Sequence, residues 1–191
     1  MTNDNILYLK RLKSFSSSTK YQIELTFLFS LMSPIKRHER ILDYGCGTGT
    51  TIRFLQKSTN AKIFGYDIEK YIEDDLKPAF LYKVEGKFNK VIFQHSIAHI
   101  ANIKEILINL RDNFIEQGEI FVITPNKEFD EYFKKIKDKN YTPDLTVYKH
   151  YTSCELIDLF HSCGYKIKIS GTFGNVENNI HERCFLIAYK Y

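Results

Sequence analysis

The stretch Arg40-Ile41-Leu42-Asp43-Tyr44-Gly45-Cys46-Gly47-Thr48-Gly49-Thr50 constrains the fold of this chain more than any other. A short apolar run ends in an acid, three glycines follow at alternate positions, and helix-like sequence resumes at Thr50. This reads as a buried strand, a tight turn and the start of a helix. Glycines in such a turn let backbone N–H groups approach a ligand where a Cβ would clash, and the helix N-terminus presents its positive end. The stretch is a ligand cradle at the end of a strand in an α/β fold.

The spacing departs from the dinucleotide fingerprint, whose third glycine falls three residues after the second, where this chain has Thr50. Asp43 also precedes the glycines, where a carboxylate would repel a pyrophosphate and could suit a cationic amino-acid moiety. Together with Lys62-Ile63-Phe64-Gly65-Tyr66-Asp67-Ile68, the stretch resembles the first two motifs of the class I S-adenosylmethionine-dependent methyltransferases. The resemblance implies a Rossmann-like fold with S-adenosyl-L-methionine as cofactor and S-adenosyl-L-homocysteine as product. It also implies that Asp43, Tyr44, Gly45, Cys46, Gly47, Thr48 and Gly49 wrap the methionine end. Asp67, at the end of the second strand, would accept hydrogen bonds from both ribose hydroxyls.

Length and composition suit one domain of this kind, since 191 residues with 43% apolar content can bury a substantial core. The expectation is a single domain over 1–191. Residues 1–37 would form a helical lid and 38–191 the core, with 126–151 an insert over the substrate pocket. No apolar run approaches the roughly 20 residues that span a bilayer, and the N-terminus lacks the order of a signal peptide. A soluble, cytoplasmic protein with no membrane partner is expected. Cys46, Cys154, Cys163 and Cys184 are scattered, which suggests reduced thiols rather than zinc or disulfides. A backbone contact, not thiol chemistry, is expected of Cys46.

The net charge of +4 is mild, and the densest basic run, Lys134-Lys135-Ile136-Lys137-Asp138-Lys139, reads as a solvated helix face. Phosphate binding needs a positive face rather than one short lysine run, so nucleic acid is not the expected partner.

Apolar runs alternate with helix-period segments, the pattern of a parallel sheet covered on both faces. Ser14 to Met32 predicts a helix stopped by Pro34, with Tyr21, Leu25, Leu28, Phe29 and Met32 at helical spacing. Strands are expected over 40–44, 62–66, 88–95 and 118–125, and helices over 50–57, 103–114 and 152–163. Thr152 or Ser153 would cap the last helix and Gly164 would stop it. Strands over 165–170 and 184–189 would close the sheet. The fold class is therefore α/β: a three-layer sandwich around a doubly wound, mostly parallel seven-stranded sheet with an antiparallel C-terminal hairpin.

The resemblance extends beyond the glycine loop. Phe88 to Ile100 is similar to the family's fourth-strand segment, with Asn89 in place of its usual acid and Ala98 in place of the glutamate before His99. It implies that Gln94, His95 and Ser96 line the cofactor site. Gly118 to Asn126 is similar to the segment whose fifth strand ends in Thr-Pro-Asn. His150-Tyr151-Thr152 to Leu159, with Cys163-Gly164-Tyr165, resembles the late helix and glycine turn of the small-molecule members. Between Asp67 and Val91 the chain is short. Pro78 to Val84 is the only candidate third strand, and no acid ends it as the family's adenine-binding acid would. Adenine would then rest on Ile68, with Tyr82, Lys83 or Val84 near its edge.

Methyl transfer from a sulfonium is an in-line displacement, so holding nucleophile and methyl carbon about 3 Å apart and excluding water matter most. A base is needed only when the acceptor arrives protonated, and histidine suits that role. His95 follows the fourth strand, whose carboxyl end faces the crevice in such folds. It is a candidate general base or a cofactor-shaping residue. His150 is a second, weaker catalytic candidate. Tyr21, His99, Asn126, Tyr148 and Tyr151 are candidate substrate contacts. His99 could instead hold a helix start, while Tyr141, Tyr148 and Tyr151 could simply pack the insert. Tyr8, like Tyr21, could lid the cofactor.

Base amino-methylation typically uses an Asn/Asp/Ser-Pro-Pro-aromatic turn where this chain has Gln94-His95-Ser96-Ile97, cytosine-5 methylation needs a Pro-Cys that is missing, and Gln94 cannot replace a metal-binding acid. No metal is expected. The reading is methylation of a small-molecule acceptor, at oxygen or nitrogen rather than carbon. The alternatives are a non-catalytic cofactor-binding or regulatory subunit, and an RNA or protein methyltransferase. The N-terminal helix could lid the pocket or mediate a homodimer.

Overall fold

The computed structural model describes residues 10, 13–14, 16–68, 71–136, 144 and 146–190. Tyr8, Tyr141 and the run from Lys137 to Lys139 lie outside the described residues. A seven-stranded mixed sheet has the order β3-β2-β1-β4-β5-β7-β6, flanked by helices, with β7 antiparallel to its neighbours. The chain divides into two compact units, Met1–Glu85 and Gly86–Tyr191.

In the first unit, α1 (Thr19–Met32) starts at Ser18, whose hydroxyl accepts from the Tyr21 N–H at 3.2 Å. Tyr21, Leu25, Leu28 and Met32 share its buried face, as an amphipathic helix requires. Strand β1 (Arg40–Tyr44) runs parallel to β2 (Lys62–Tyr66), with Asp43 opposite Gly65 and Tyr44 opposite Tyr66. Ile41, Leu42 and Asp43 are all buried, the continuous burial of a strand covered on both faces. Between them lies α2 (Thr50–Ser58), whose Thr51, Ile52 and Leu55 are buried. The third strand is shorter than the sequence suggests. A 3-10 turn over Asp74–Ala79 takes up Pro78, and β3 is only Phe80–Leu81.

In the second unit, β4 (Phe88–Gln94) pairs in parallel with β5 (Ile115–Pro125), and α3 (Ile103–Asn109) continues into a π-helical turn over Leu110–Phe114. Helix α4 (Lys127–Ile136) opens the segment read from sequence as an insert and carries Lys134 to Ile136, the start of the basic run read as a helix face. Helix α5 (Ser153–Ser162) begins with a capping box. Thr152 Oγ1 accepts from the Glu155 N–H at 3.1 Å, and Glu155 Oε2 accepts from the Thr152 N–H at 2.9 Å. Gly164 follows at φ +79°, and Tyr165 donates from its hydroxyl to the Leu107 carbonyl at 2.8 Å, pinning the start of β6 to α3. Strands β6 (Tyr165–Glu177) and β7 (Ile180–Lys190) outrun the expected hairpin, because Gly171 and Gly174 are absorbed within the ladder rather than breaking it. The core of this unit includes Phe88, Ile92, Phe93, Phe121, Leu156 and Phe160.

Candidate active site

In the first unit the glycine loop leaves β1 and is fastened to the end of β2. The Gly45 and Cys46 N–H groups both donate to the Tyr66 carbonyl, at 2.7 and 3.1 Å, and the Gly47 N–H donates to Asp67 Oδ2 at 2.8 Å. Gly45, Gly47 and Gly49 have φ of +79°, +51° and +86°, which side chains rarely adopt. Gly65 matters for space instead. A Cβ there would lie 2.8 Å from Cys46 Sγ and closer still to Ile52 Cδ1. The loop's far side is closed by the segment after β2, with Ile72 and Leu76 packed against Gly49 and the Glu73 N–H 3.4 Å from the Thr48 carbonyl.

Asp43 is buried, and its Oδ1 has no hydrogen-bond partner among the described residues. Burial, and then the charge of Asp67, raise its pKa from 3.8 to about 8, while a hydrogen bond with Thr51 pulls the other way. Carboxylates at the carboxyl ends of two paired strands, one of them with an orphaned buried oxygen, fit a cationic ligand and fit a pyrophosphate badly. Ile68 and Tyr82 are 86% and 73% exposed, large apolar surfaces near the carboxyl ends of β2 and β3. Tyr44 and Tyr66 lie ring to ring at 5.0 Å across the two strands. Tyr21, expected to meet substrate, places its hydroxyl 3.1 Å from Thr51 Oγ1 in a buried bond.

Sequence reasoning missed two participants here. Thr51 meets the buried Tyr21 hydroxyl, and Arg53, two residues on in α2, forks Asp75 at 2.6 and 2.9 Å while also meeting Glu73. Both residues lie in the first turns of α2, but their partners arrive only through tertiary packing.

In the second unit, His95 ends β4 with φ +58° and donates its N–H to the Ile123 carbonyl at 2.8 Å. A left-handed histidine is uncommon and marks a position held by its surroundings. Gln94 and Ser96 beside it are buried. His99 Nδ1 lies 3.1 Å from the Thr146 carbonyl and 3.0 Å from Thr146 Oγ1. Thr146 Oγ1 donates its one proton to Asp144 at 2.6 Å, so His99 Nδ1 is the donor. The Tyr148 and Lys149 N–H groups both donate to the Ala98 carbonyl, at 2.8 and 3.0 Å. His99 and Ala98 thus fasten residues 146–149 over the turn after β4.

His150 Nε2 stands 3.6 Å from Asp130 Oδ2, and its Nδ1 is buried with no hydrogen-bond partner among the described residues. Asp130, on α4, also pairs with Lys134 one turn on. Burial lowers the His150 pKa, Lys134 and His99 add to this, and Asp130 and Asp144 oppose it, so the ring is held neutral. Asn126 is buried and its amide donates to the His181 carbonyl at 2.8 Å, while Tyr151 is buried and bridges to Asn126. Tyr148 is 66% exposed. Among the described residues no group of histidines, cysteines and acids could hold a metal ion, and no helix is long and apolar enough to cross a membrane.

The "Methyltransferase domain" family model matches residues 19–168. No curated protein matches the chain in sequence. Among solved structures, the magnesium protoporphyrin IX methyltransferase of Synechocystis PCC 6803, with bound S-adenosylhomocysteine, is similar at a TM-score of 0.68 and 16% identity over 90% of this chain and 84% of that one. An S-adenosylmethionine-dependent methyltransferase of Aquifex aeolicus reaches 0.71 at 13% identity, over 96% and 98% of the two chains. One from Archaeoglobus fulgidus reaches 0.69 at 16% identity, over 96% and 99%. These likenesses carry the fold, and the family match carries the membership. The chain belongs to the class I S-adenosylmethionine-dependent methyltransferases.

Proposed function

We propose that the protein methylates a small-molecule acceptor at oxygen or nitrogen, with His95 as the general base. The observation that carries this reading is the left-handed backbone of His95 at the carboxyl end of β4, fixed by its bond to Ile123. Ligands of such folds bind outside the carboxyl ends of the strands. When bound, the cofactor would supply an electrophilic methyl group on a sulfonium, whose thioether, S-adenosylhomocysteine, is the leaving group.

The chain's own residues would do the rest. Asp43 and Asp67 hold the cofactor by charge and hydrogen bonding, with Ile68 and Tyr82 against its adenine. Gln94 and Ser96 shape the site beside His95, which takes the acceptor's proton. Residues 146–149, strapped to Ala98 and His99, cover the turn after β4, which suits a small acceptor and the exclusion of water. Tyr148, Tyr151 and Asn126 would set the shape of that cover, and His150, held neutral beside Asp130, is the second candidate base. The Synechocystis neighbour acts on a tetrapyrrole, in keeping with an acceptor of this class. Lys134 is engaged by Asp130, which weakens the case for a phosphate-binding face. The missing acid after β3 favours one other reading, a cofactor-binding regulatory subunit.

The purified protein and S-adenosylmethionine are incubated with cell extract divided into small-molecule and macromolecular fractions, and S-adenosylhomocysteine is measured. Turnover in the small-molecule fraction is expected. Turnover confined to macromolecules, or none in either, overturns the assignment. His95→Gln should lower kcat far more than it weakens cofactor binding.

A further inference from the structure

The His99 ring, in the 3-10 turn that follows β4, is tied down at one nitrogen only. Its Nδ1 lies 3.1 Å from the Thr146 carbonyl and 3.0 Å from Thr146 Oγ1. A carbonyl oxygen only accepts, so Nδ1 carries the proton. Asp144 Oδ1 holds Thr146 in place by accepting from its N–H at 2.9 Å and from its hydroxyl at 2.6 Å. The Tyr148 and Lys149 N–H groups, both on the Ala98 carbonyl, anchor the same segment without the ring. A proton on Nδ1 leaves the lone pair of the neutral ring on Nε2.

That Nε2 is the second observation. It has no hydrogen bond among the described residues, and it is not shut off from solvent. The bond that fastens the segment therefore also fixes the tautomer and the aim of the other nitrogen, which is how a histidine is prepared to offer its lone pair to a ligand. The turn lies beyond the carboxyl end of β4, as His95 does, and ligands of such folds bind outside those ends.

We propose that His99 binds the methyl acceptor: Asp144 and Thr146 hold the proton on Nδ1, and Nε2 accepts a hydrogen bond from a second O–H or N–H of the acceptor, beside the group that His95 deprotonates. This rests on the small-molecule reading and deepens it by assigning the acceptor's class, a compound with two protic groups of which one is methylated and one is kept. His99 takes no proton and only accepts the bond. Asp144 and Thr146 are positioning residues that act through the ring. A site built to pair with a donor on its substrate rejects analogues that lack it, because its own polar group is then left unpaired.

Nitrogen NMR of protein labelled at histidine, at about pH 8 where a free imidazole is neutral, reads the tautomer, and His99→Asn assigns the signal by its loss. A protonated Nδ1 and a bare Nε2 are expected, and the reverse overturns the proposal. S-adenosylhomocysteine formation is then followed against dilution of the small-molecule fraction of cell extract. His99→Asn keeps an N–H toward Thr146 and has nothing at Nε2. Amide exchange at Tyr148 and Lys149 should therefore stay as in the unaltered protein, while the half-saturating amount of extract rises about tenfold and the maximal rate changes less. An unmoved half-saturation would make His99 a fastener alone and overturn the proposal. The methylated product, measured by mass spectrometry in ordinary and heavy water, should keep at least one exchangeable hydrogen, and a product with none overturns the proposal whatever the variant does. Each of these failures leaves small-molecule methylation standing, whereas no turnover of that fraction by the unaltered protein overturns both.

Discussion

Asp67 Oδ2 accepts a 2.8 Å hydrogen bond from the Gly47 N–H, so the acid after β2 and the loop after β1 form one piece. An ionised carboxylate has about four acceptor positions. Asp67→Ala should weaken S-adenosylmethionine binding by about 1–3 kcal/mol through lost charge-assisted bonds. Calorimetry checks this, and an unchanged dissociation constant would mean that the sugar is held elsewhere.

Asp43 also links stability to pH. Its folded pKa, about 8, lies above that of the unfolded chain, so the unfolded form gives up the proton first as pH rises. The fold therefore loses stability from the ordinary carboxylate range up through about pH 8. Asp43→Asn cannot titrate, and its melting temperature should decline less over that window and exceed that of the unaltered protein above it. Parallel melting curves would refute this.

Arg53 joins α2 to the segment that closes over Gly49, through its fork on Asp75 and its bond to Glu73. The pairs are exposed, so the melting temperature should barely change in Arg53→Ala. Cofactor binding should weaken a few-fold and lose much of its salt dependence. The exchange Arg53→Asp with Asp75→Arg should recover affinity, whereas failure to recover it would remove the clasp from the cofactor site.

Gly65 faces Cys46 and Ile52 with no room for a methyl group. Gly65→Ala should cost about 1–3 kcal/mol in urea unfolding, and Ile52→Val in the same chain should return part of it. Strict additivity of the two changes would count against a direct clash.

The glycine loop, its two acids and the strands around them were legible because apolar runs, glycines and acids follow one another without interruption. Helix α4 was legible too, since Phe129, Tyr132, Phe133 and Ile136 recur at helical spacing, although the expectation placed only its lysine-rich end on a helix. The expected strand over 165–170 stopped short of β6, which continues to Glu177 with register shifts in the ladder. Pro78 suggested a strand start and instead sits inside a 3-10 turn. Asp43 and Asp67 were legible as acids at the ends of the first two strands. The links Tyr21–Thr51, Arg53–Asp75 and His150–Asp130 join elements distant in sequence, and no local pattern encodes them.

Cys46 occupies the glycine turn between β1 and α2. Burial, with Asp43 and then Asp67 adding to it, pushes its pKa far above the usual thiol range, so the sulfur is almost never a thiolate. A protein that handles a methyl donor turnover after turnover thereby keeps its own loop from becoming the acceptor.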